Sequence, residues 1–238
     1  MLSAVAIVPS APVLVPELSG AAAEVADLRT AVIAAAAALP LRWIAVGTDC
    51  ARGSVDYTVG PDSVGTFAGF GADVPVRLSP QTGAQTSQRA APWPELPICA
   101  LVTGWLRGRA RPEASATVQV FANDHGRDTA IARGRQLRTE IDRARAPVGV
   151  LITADGANTL TPAAPGGYDP SAAAPQRSLD EALARGDVAA LAGLSDRILG
   201  RVAFQVLAGL IETGPRSAKE LYRGAPYGVG YFAGVWQP

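Results

Sequence analysis

Four polar residues stand where apolar runs of this chain stop. Ser10 follows Leu2 to Val8, Asp49 follows Arg42 to Thr48, and Asp155 and Asn158 follow Val148 to Thr153. Brought together, two carboxylates, a hydroxyl and a carboxamide make a small acidic, hydrogen-bonding pocket. Being all-oxygen in its strong donors, the set suits Mg²⁺, Ca²⁺ or Mn²⁺ better than a soft metal, although two acids make a poor cage. The same residue types also cap strand ends and turns with no further role, so both readings stay open. Between the acids, Asp155, next to Gly156 in a tight turn, reads as the structural carboxylate and Asp49 as the pocket acid.

Other reactive groups are few. His125, in Asn123-Asp124-His125-Gly126, is the single histidine; it reads as a general base or, more simply, as a solvated turn residue. A Ser10/His125/acid triad lacks the Gly-x-Ser-x-Gly elbow that would expose its nucleophile. Cys50 sits beside Asp49, and a neighbouring carboxylate raises a thiol pKa rather than lowering it, so an inert thiol is expected. Gly65, Gly69 and Gly71 form no phosphate-binding G-x-G-x-x-G pattern and are assigned to turns. Tyr168, Tyr227, Tyr231 and Trp236 read as packing anchors rather than a clamp for an aromatic substrate.

The elements that must hold these residues alternate. The runs Leu2 to Val8, Arg42 to Thr48 and Val148 to Thr153 are too apolar for exposed strands and predict neighbours in one buried sheet. Val25, Leu28, Val32, Ala35 and Leu39 recur at helical spacing after Ser19, a candidate cap. Ser54 to Val59 and Val64 to Phe67 suggest a hairpin, and 79–94 a long surface loop. Pro97 to Arg107 reads as a helix, Thr117 to Ala122 as a strand, and Ile131, Gly134, Leu137 and Ile141 as one helix face. Ser178-Leu179-Asp180-Glu181 has the form of a capping box, starting a helix near Leu179. Gly186 ends it, Asp187 caps a short successor, and Ile198 to Ile211 forms a long apolar helix. Val229 to Trp236 reads as the final strand. The expectation is an α/β fold, a single domain over 1–238 with a central, mostly parallel or mixed sheet flanked by helices.

At 238 residues the chain can bury a full core. Its 21 basic and 21 acidic residues balance, so no global field favours nucleic acid or an anionic membrane. The start, broken by Pro9, Pro12 and Pro16 and lacking a basic region, has the form of neither a signal peptide nor a membrane span, and a cytoplasmic protein is expected. Cys50 and Cys99 form no CxxC and imply no disulfide framework.

The loop after the third run, Ala154-Asp155-Gly156-Ala157-Asn158-Thr159-Leu160, resembles the Gly-Asp-x-Ser-His-x-Leu segment of the LigB-like family. That family comprises the catalytic subunit of class III extradiol ring-cleavage dioxygenases and its MEMO-type relatives. Ala164-Pro165-Gly166-Gly167-Tyr168-Asp169-Pro170 resembles its Ala-Pro-x-Gly-Tyr-x-Pro turn. Pro9-Ser10-Ala11-Pro12 stands for its Pro-His-x-Pro, Thr48-Asp49 for a Pro-His pair, and Ala225 to Tyr231 for Pro-Phe-Gly-Val-Gly-Tyr. Roughly 55–115 matches nothing in the pattern. The resemblance implies Fe(II) held by two histidines and a carboxylate, with a further histidine as acid/base. Here those histidine positions hold Ser10, Asp49 and Asn158, and one histidine cannot supply two ligands. Glu220, the acid nearest the last strand, is the candidate for a residual carboxylate.

These substitutions predict a pseudoenzyme of that fold, with no cofactor, binding a small molecule or a partner through Ser10, Asp49, Asp155, Asn158, Tyr168 and Tyr231. The alternatives are a ring-cleavage dioxygenase with a non-standard metal site, or a metal-independent hydrolase or lyase using Asp49, Asp155 and Ser10. The family's habit also implies a homo-oligomer.

Overall fold

The computed structural model describes residues 1–20, 23–49, 55–80 and 95–238. Its centre is β7 (Val148–Thr153), every residue of which is buried. On one side β7 pairs in parallel with β1 (Leu2–Val8), and on the other with β2 (Arg42–Asp49). The three runs expected to be neighbours are neighbours. β6 (Ser115–Ala122) continues the parallel sheet beyond β2. The edges are antiparallel: β3 (Tyr57–Val59) on β6, and β9 (Tyr231–Gln237) on β1 with β8 (Ser217–Gly224) outside it. The seven-stranded order is therefore β3-β6-β2-β7-β1-β9-β8. A separate two-stranded ribbon joins β4 (Val64–Thr66) to β5 (Pro75–Arg77).

Alternation along the strands separates two cores. On one face Ala45, Val118, Leu151 and Ala233 pack with helices α2 (Ala26–Ala37) and α3 (Ile98–Ala110), beside the short α1 (Pro16–Ser19). On the other, Val46, Phe121, Ile152 and Trp236 pack with α4 (Arg127–Asp142), α5 (Ala173–Arg185), α6 (Val188–Ala192) and α7 (Arg201–Leu210). Trp236 is fully buried and its indole N–H donates to the Leu183 carbonyl at 2.8 Å, so its large apolar surface carries no unsatisfied donor.

Several local expectations give way to tertiary pairing. The hairpin over 54–67 does not form: β3 joins the main sheet and β4 turns to β5, because each segment finds a longer-range partner. Ser54 itself, with Cys50 and 81–94 of the expected surface loop, lies outside the described residues. Ser19 ends α1 instead of capping α2. The Ser178–Glu181 box falls inside α5, which begins at Ala173. Gly186 and Asp187 behave as expected. Gly186 closes α5 at φ 72°, and the Asp187 side chain accepts the Ala190 N–H at 3.0 Å.

Helices α4 and α7 cross almost backbone to backbone. A Cβ at Gly134 would lie 2.1 Å from the Val206 carbonyl oxygen, and one at Gly209 would lie 2.1 Å from that of Ile131. Neither backbone can step aside as a flexible side chain would. Alanine would gain about 1 kcal/mol of helix propensity, but overpacking against a fixed backbone costs about 1–3 kcal/mol or more. Gly134→Ala and Gly209→Ala should each destabilise the fold by a net of up to ~2 kcal/mol, read as a lower urea midpoint, whereas Gly108→Ala, in open space on α3, should not.

Candidate functional site

The connections leaving the parallel strands set the site. β1 leads to α2 and the chain beyond β2 leads to α3, both on one face; β7 leads to α5 on the other. Neighbouring strands whose connections depart to opposite faces leave a crevice at their carboxyl ends. It falls outside β7, between β1 and β2, where Ser10, Asp49 and Asp155 stand.

Register places them more finely. Val46 pairs with Ile152 and both point to the α4–α7 face. Three residues on, Asp49 and Asp155 end adjacent strands on the opposite, α2–α3 side. Asp155 turns toward β1: its Oδ1 accepts the Ser10 N–H at 2.9 Å. Asp49 turns the other way, and its Oδ2 accepts the Tyr57 hydroxyl at 2.7 Å. Beneath them, Cys99 at the start of α3 packs against Gly47 and Thr153 so closely that a Cβ on Gly47 would sit 2.3 Å from the Cys99 Cβ. The Thr153 hydroxyl donates to the Val46 carbonyl at 3.0 Å.

The loop after β7 is pinned by backbone. Gly156 N–H donates to the Gly230 carbonyl and Gly230 N–H to that of Ala157, each at 2.8 Å, and Leu160 N–H reaches the Gly228 carbonyl at 3.1 Å. This brings Tyr231, at the start of β9, beside Asp155. Gln176 of α5 adds a side-chain tie: its Oε1 accepts the Ala157 N–H at 2.7 Å and its Nε2 donates to Asp180 at 2.9 Å.

These surroundings perturb the acids. Asp155 keeps some surface as a residue, but protein atoms crowd its carboxyl, and burial pushes it up to about 7 against the pull of the Ser10 N–H. Repulsion from Asp49 is not the cause, since the two carboxylates turn apart. Burial, then the Asp155 charge, raises the Tyr231 phenol. Burial lifts Asp180 to about 6, opposed by the Gln176 hydrogen bond. The Cys99 thiol, fully buried, is pushed up to about 12 and is no nucleophile.

Asp49, Asp155 and Tyr231 thus stand at one end of the sheet, and Ser10 joins them through its backbone N–H. The remaining candidates do not join them. Asn158 serves its own turn: its carbonyl accepts the Gly166 N–H at 3.0 Å, and its side chain lies against Gly166, whose Cβ would fall 2.7 Å from Oδ1. Tyr168 and Tyr227 are 58% and 46% exposed, and the Tyr227 hydroxyl donates to Glu24 at 3.1 Å. Glu220 sits on the outer strand β8, paired with Arg223 and electrostatically coupled to Asp180 of α5. That is the opposite face of the sheet: nearness to β9 in sequence does not bring Glu220 to the site, because it sits on the edge strand with β9 and β1 between it and β7.

His125 is not a solvated turn residue. Its Nε2 lies 2.6 Å from Asp56 Oδ1, on the α4 face. A groove of about 120 Å³ beside Asp56 is lined by Gln119, Phe121, Arg133, Gln136, Leu137 and Glu140 on that same face. Among the described residues no three His, Cys, Asp or Glu side chains converge to hold a metal ion. Tyr57, Thr153, Cys99 and Gln176 carry no signal of a site role in the sequence. Tyr57 belongs to no motif, and only the pairing of β3 with β6 reveals it.

No family model matches the chain, and no curated protein matches it. Among solved structures it is similar to the uncharacterized protein JW3007 from Escherichia coli K12. The TM-score is 0.56 at 11% identity, over 98% of this chain and 99% of that one. The likeness spans the whole α/β architecture and is a likeness of fold. No helix among the described residues is long and apolar enough to cross a membrane.

A carboxyl whose pKa is raised on folding binds its proton more tightly in the native state. Its contribution is full below the unfolded value near 4 and is lost as pH rises through about 7. Asp155→Asn keeps an oxygen for the Ser10 N–H without the charge. Relative to wild type it should be near neutral at pH 4 and stabilising at pH 8 by order of ~1–3 kcal/mol. Urea melts across that range check the difference; a loss of stability at pH 8 would show that the ionised carboxylate has a donor to satisfy.

Proposed function

We propose that this chain is a divergent LigB-like protein that has given up iron chemistry and binds a small molecule at the ends of β1, β2 and β7. The observation that carries the reading concerns histidine. The family's motifs keep their order here, but their histidine positions hold Ser10, Asp49 and Asn158, and the single histidine lies on the opposite face, bound to Asp56. Two imidazoles and a carboxylate are what hold Fe(II) in such sites. Serine and asparagine are weak neutral donors, and the Asn158 side chain is turned to Gly166. The residues present do not fit the metal.

What they fit is a compact polar ligand. Asp49 with the Tyr57 hydroxyl on one side, and the Asp155 carboxyl with Tyr231 on the other, offer acceptors, donors and a proton that moves near neutrality. That last property also favours a second reading, a metal-independent hydrolase or lyase in which Asp155 exchanges a proton with substrate. A homo-oligomer and a cytoplasmic setting belong to the same proposal.

Anaerobic reconstitution with Fe(II), then oxygen uptake with a panel of catechols, tests the loss of iron chemistry. Far less than one equivalent of iron should survive desalting, and oxygen uptake should not exceed that of free iron. Turnover well above that background, abolished by Asp49→Ala, would return the chain to the dioxygenases. Melting-temperature screens with small polar ligands should give shifts that Asp49→Asn removes.

A further inference from the structure

Asp56 and Tyr57 are consecutive, and at the head of a strand consecutive side chains leave by opposite faces. Tyr57 packs with the α2–α3 core and reaches Asp49. Asp56 enters the α4 face, where Oδ1 accepts the Ala122 N–H at 3.0 Å and meets His125 Nε2 at 2.6 Å. Its Oδ2 lies 2.9 Å from Arg133 Nε, but those two atoms are buried without hydrogen-bond alignment. Among side chains, His125 is thus the aligned partner. The histidine is itself fixed: Arg201 of α7 donates to its carbonyl at 3.2 Å while pairing with Asp196 and bonding Gln205.

β3 has three residues and, among the described residues, one ladder, to β6. So short an edge strand is held weakly by its own backbone bonds, and a side-chain latch at its head has leverage over the next residue. We propose that His125 is a positioning residue for the strand-end site, acting through Asp56 to set Tyr57 against Asp49 across the sheet. Asp56 meets the imidazole, Arg133 lies against that carboxylate and Arg201 against the His125 backbone carbonyl, with Asp124 and Arg127 flanking His125 in the chain. A protonated imidazole would make the Asp56 contact charge-assisted and stronger, so the latch is tighter whenever the ring carries its second proton.

The importance of Tyr57 rests on the strand-end site being the functional one. The experiment reads Tyr57 without ligand or metal, so its outcome is separate from the iron and ligand tests. In protein labelled with ¹³Cζ-tyrosine, Tyr57→Phe assigns the Tyr57 signal and Asp49→Asn gives its displacement when the contact to Asp49 is altered. His125→Ala and Asp56→Asn should each move the signal by at least half that displacement. His125→Gln, which restores a donor without a titration, should return it toward wild type. In the wild type the signal should step with pH at the midpoint of the His125 ring's own titration, and the step should vanish in His125→Gln. Arg135→Ala, on the exposed side of α4, should leave it in place. A wild-type Tyr57 signal indifferent to the His125 titration overturns the proposal. So does an unmoved signal in a folded His125→Ala, or a Tyr231 displacement equal to that of Tyr57, which would mark general loosening.

Discussion

β7 can be reached only at its ends. It is flanked by parallel strands along both edges and covered on both faces, and all six of its residues are buried. Burial of this kind follows from the sequence: Val148, Val150, Leu151 and Ile152 would each lose about 1.5–3 kcal/mol of transfer free energy if left in water. A parallel strand so enclosed has no polar face on which to place chemistry. Thr153, its last residue, is accommodated by donating its hydroxyl to the Val46 carbonyl, and a carboxylate must wait until the strand has stopped. The candidate site is therefore a consequence of the core: Asp155 stands where it does because the preceding six residues cannot tolerate it.

The loop after β7 must then be held without a hydrophobic core of its own. One buried carboxamide does much of this. Gln176 approaches the backbone so closely that a Cβ on Gly156 or Gly230 would fall 2.1 or 2.2 Å from its Oε1. A side chain at either position would have to displace the Gln176 amide and break its tie to the loop. The tie also links the site to α5, since the same Gln176 donates to Asp180. A buried polar group left unpaired costs about 1–3 kcal/mol, so the loop cannot swing away from α5 without stranding both the Ala157 N–H and the Gln176 side chain.

Legibility in the sequence follows burial. The three central strands are readable because a strand buried on both faces is an uninterrupted apolar run; the register irregularity between Leu2 and Ala4 where β1 meets β7 is not. β8 is not readable: Ser217 to Gly224 carries Lys219, Glu220 and Arg223 and is half-exposed at the sheet edge, so neither alternation nor composition marks it. Without β8, Glu220 falls on the wrong face. α5 begins five residues before Ser178 because Pro175 sits in its first turn, where proline is tolerated, and a capping-box pattern inside a helix has no orphan donors to satisfy. Of the site, Ser10, Asp49 and Asp155 are visible as strand terminators. Tyr57 and the Asp56–His125 contact are not, because they depend on which edge a three-residue strand chooses.

The two carboxylates end neighbouring strands yet are handled differently, and the difference follows from their surroundings. In a site that held a divalent cation, the metal would set the local charge balance. A chain with one histidine must neutralise its acids otherwise. Asp49 accepts the Tyr57 hydroxyl hydrogen at its Oδ2. Asp155 is more crowded and receives the Ser10 N–H. One neutral donor does not offset the desolvation of an ion, so the proton is held until about pH 7. The Tyr231 phenol, next to it, is raised as well and stays a neutral donor. The edge of the sheet therefore presents the Asp49–Tyr57 hydrogen bond over β2 and a proton-bearing pair over β7 and β9. A ligand that offers a donor to the first and an acceptor to the second would satisfy both without a metal.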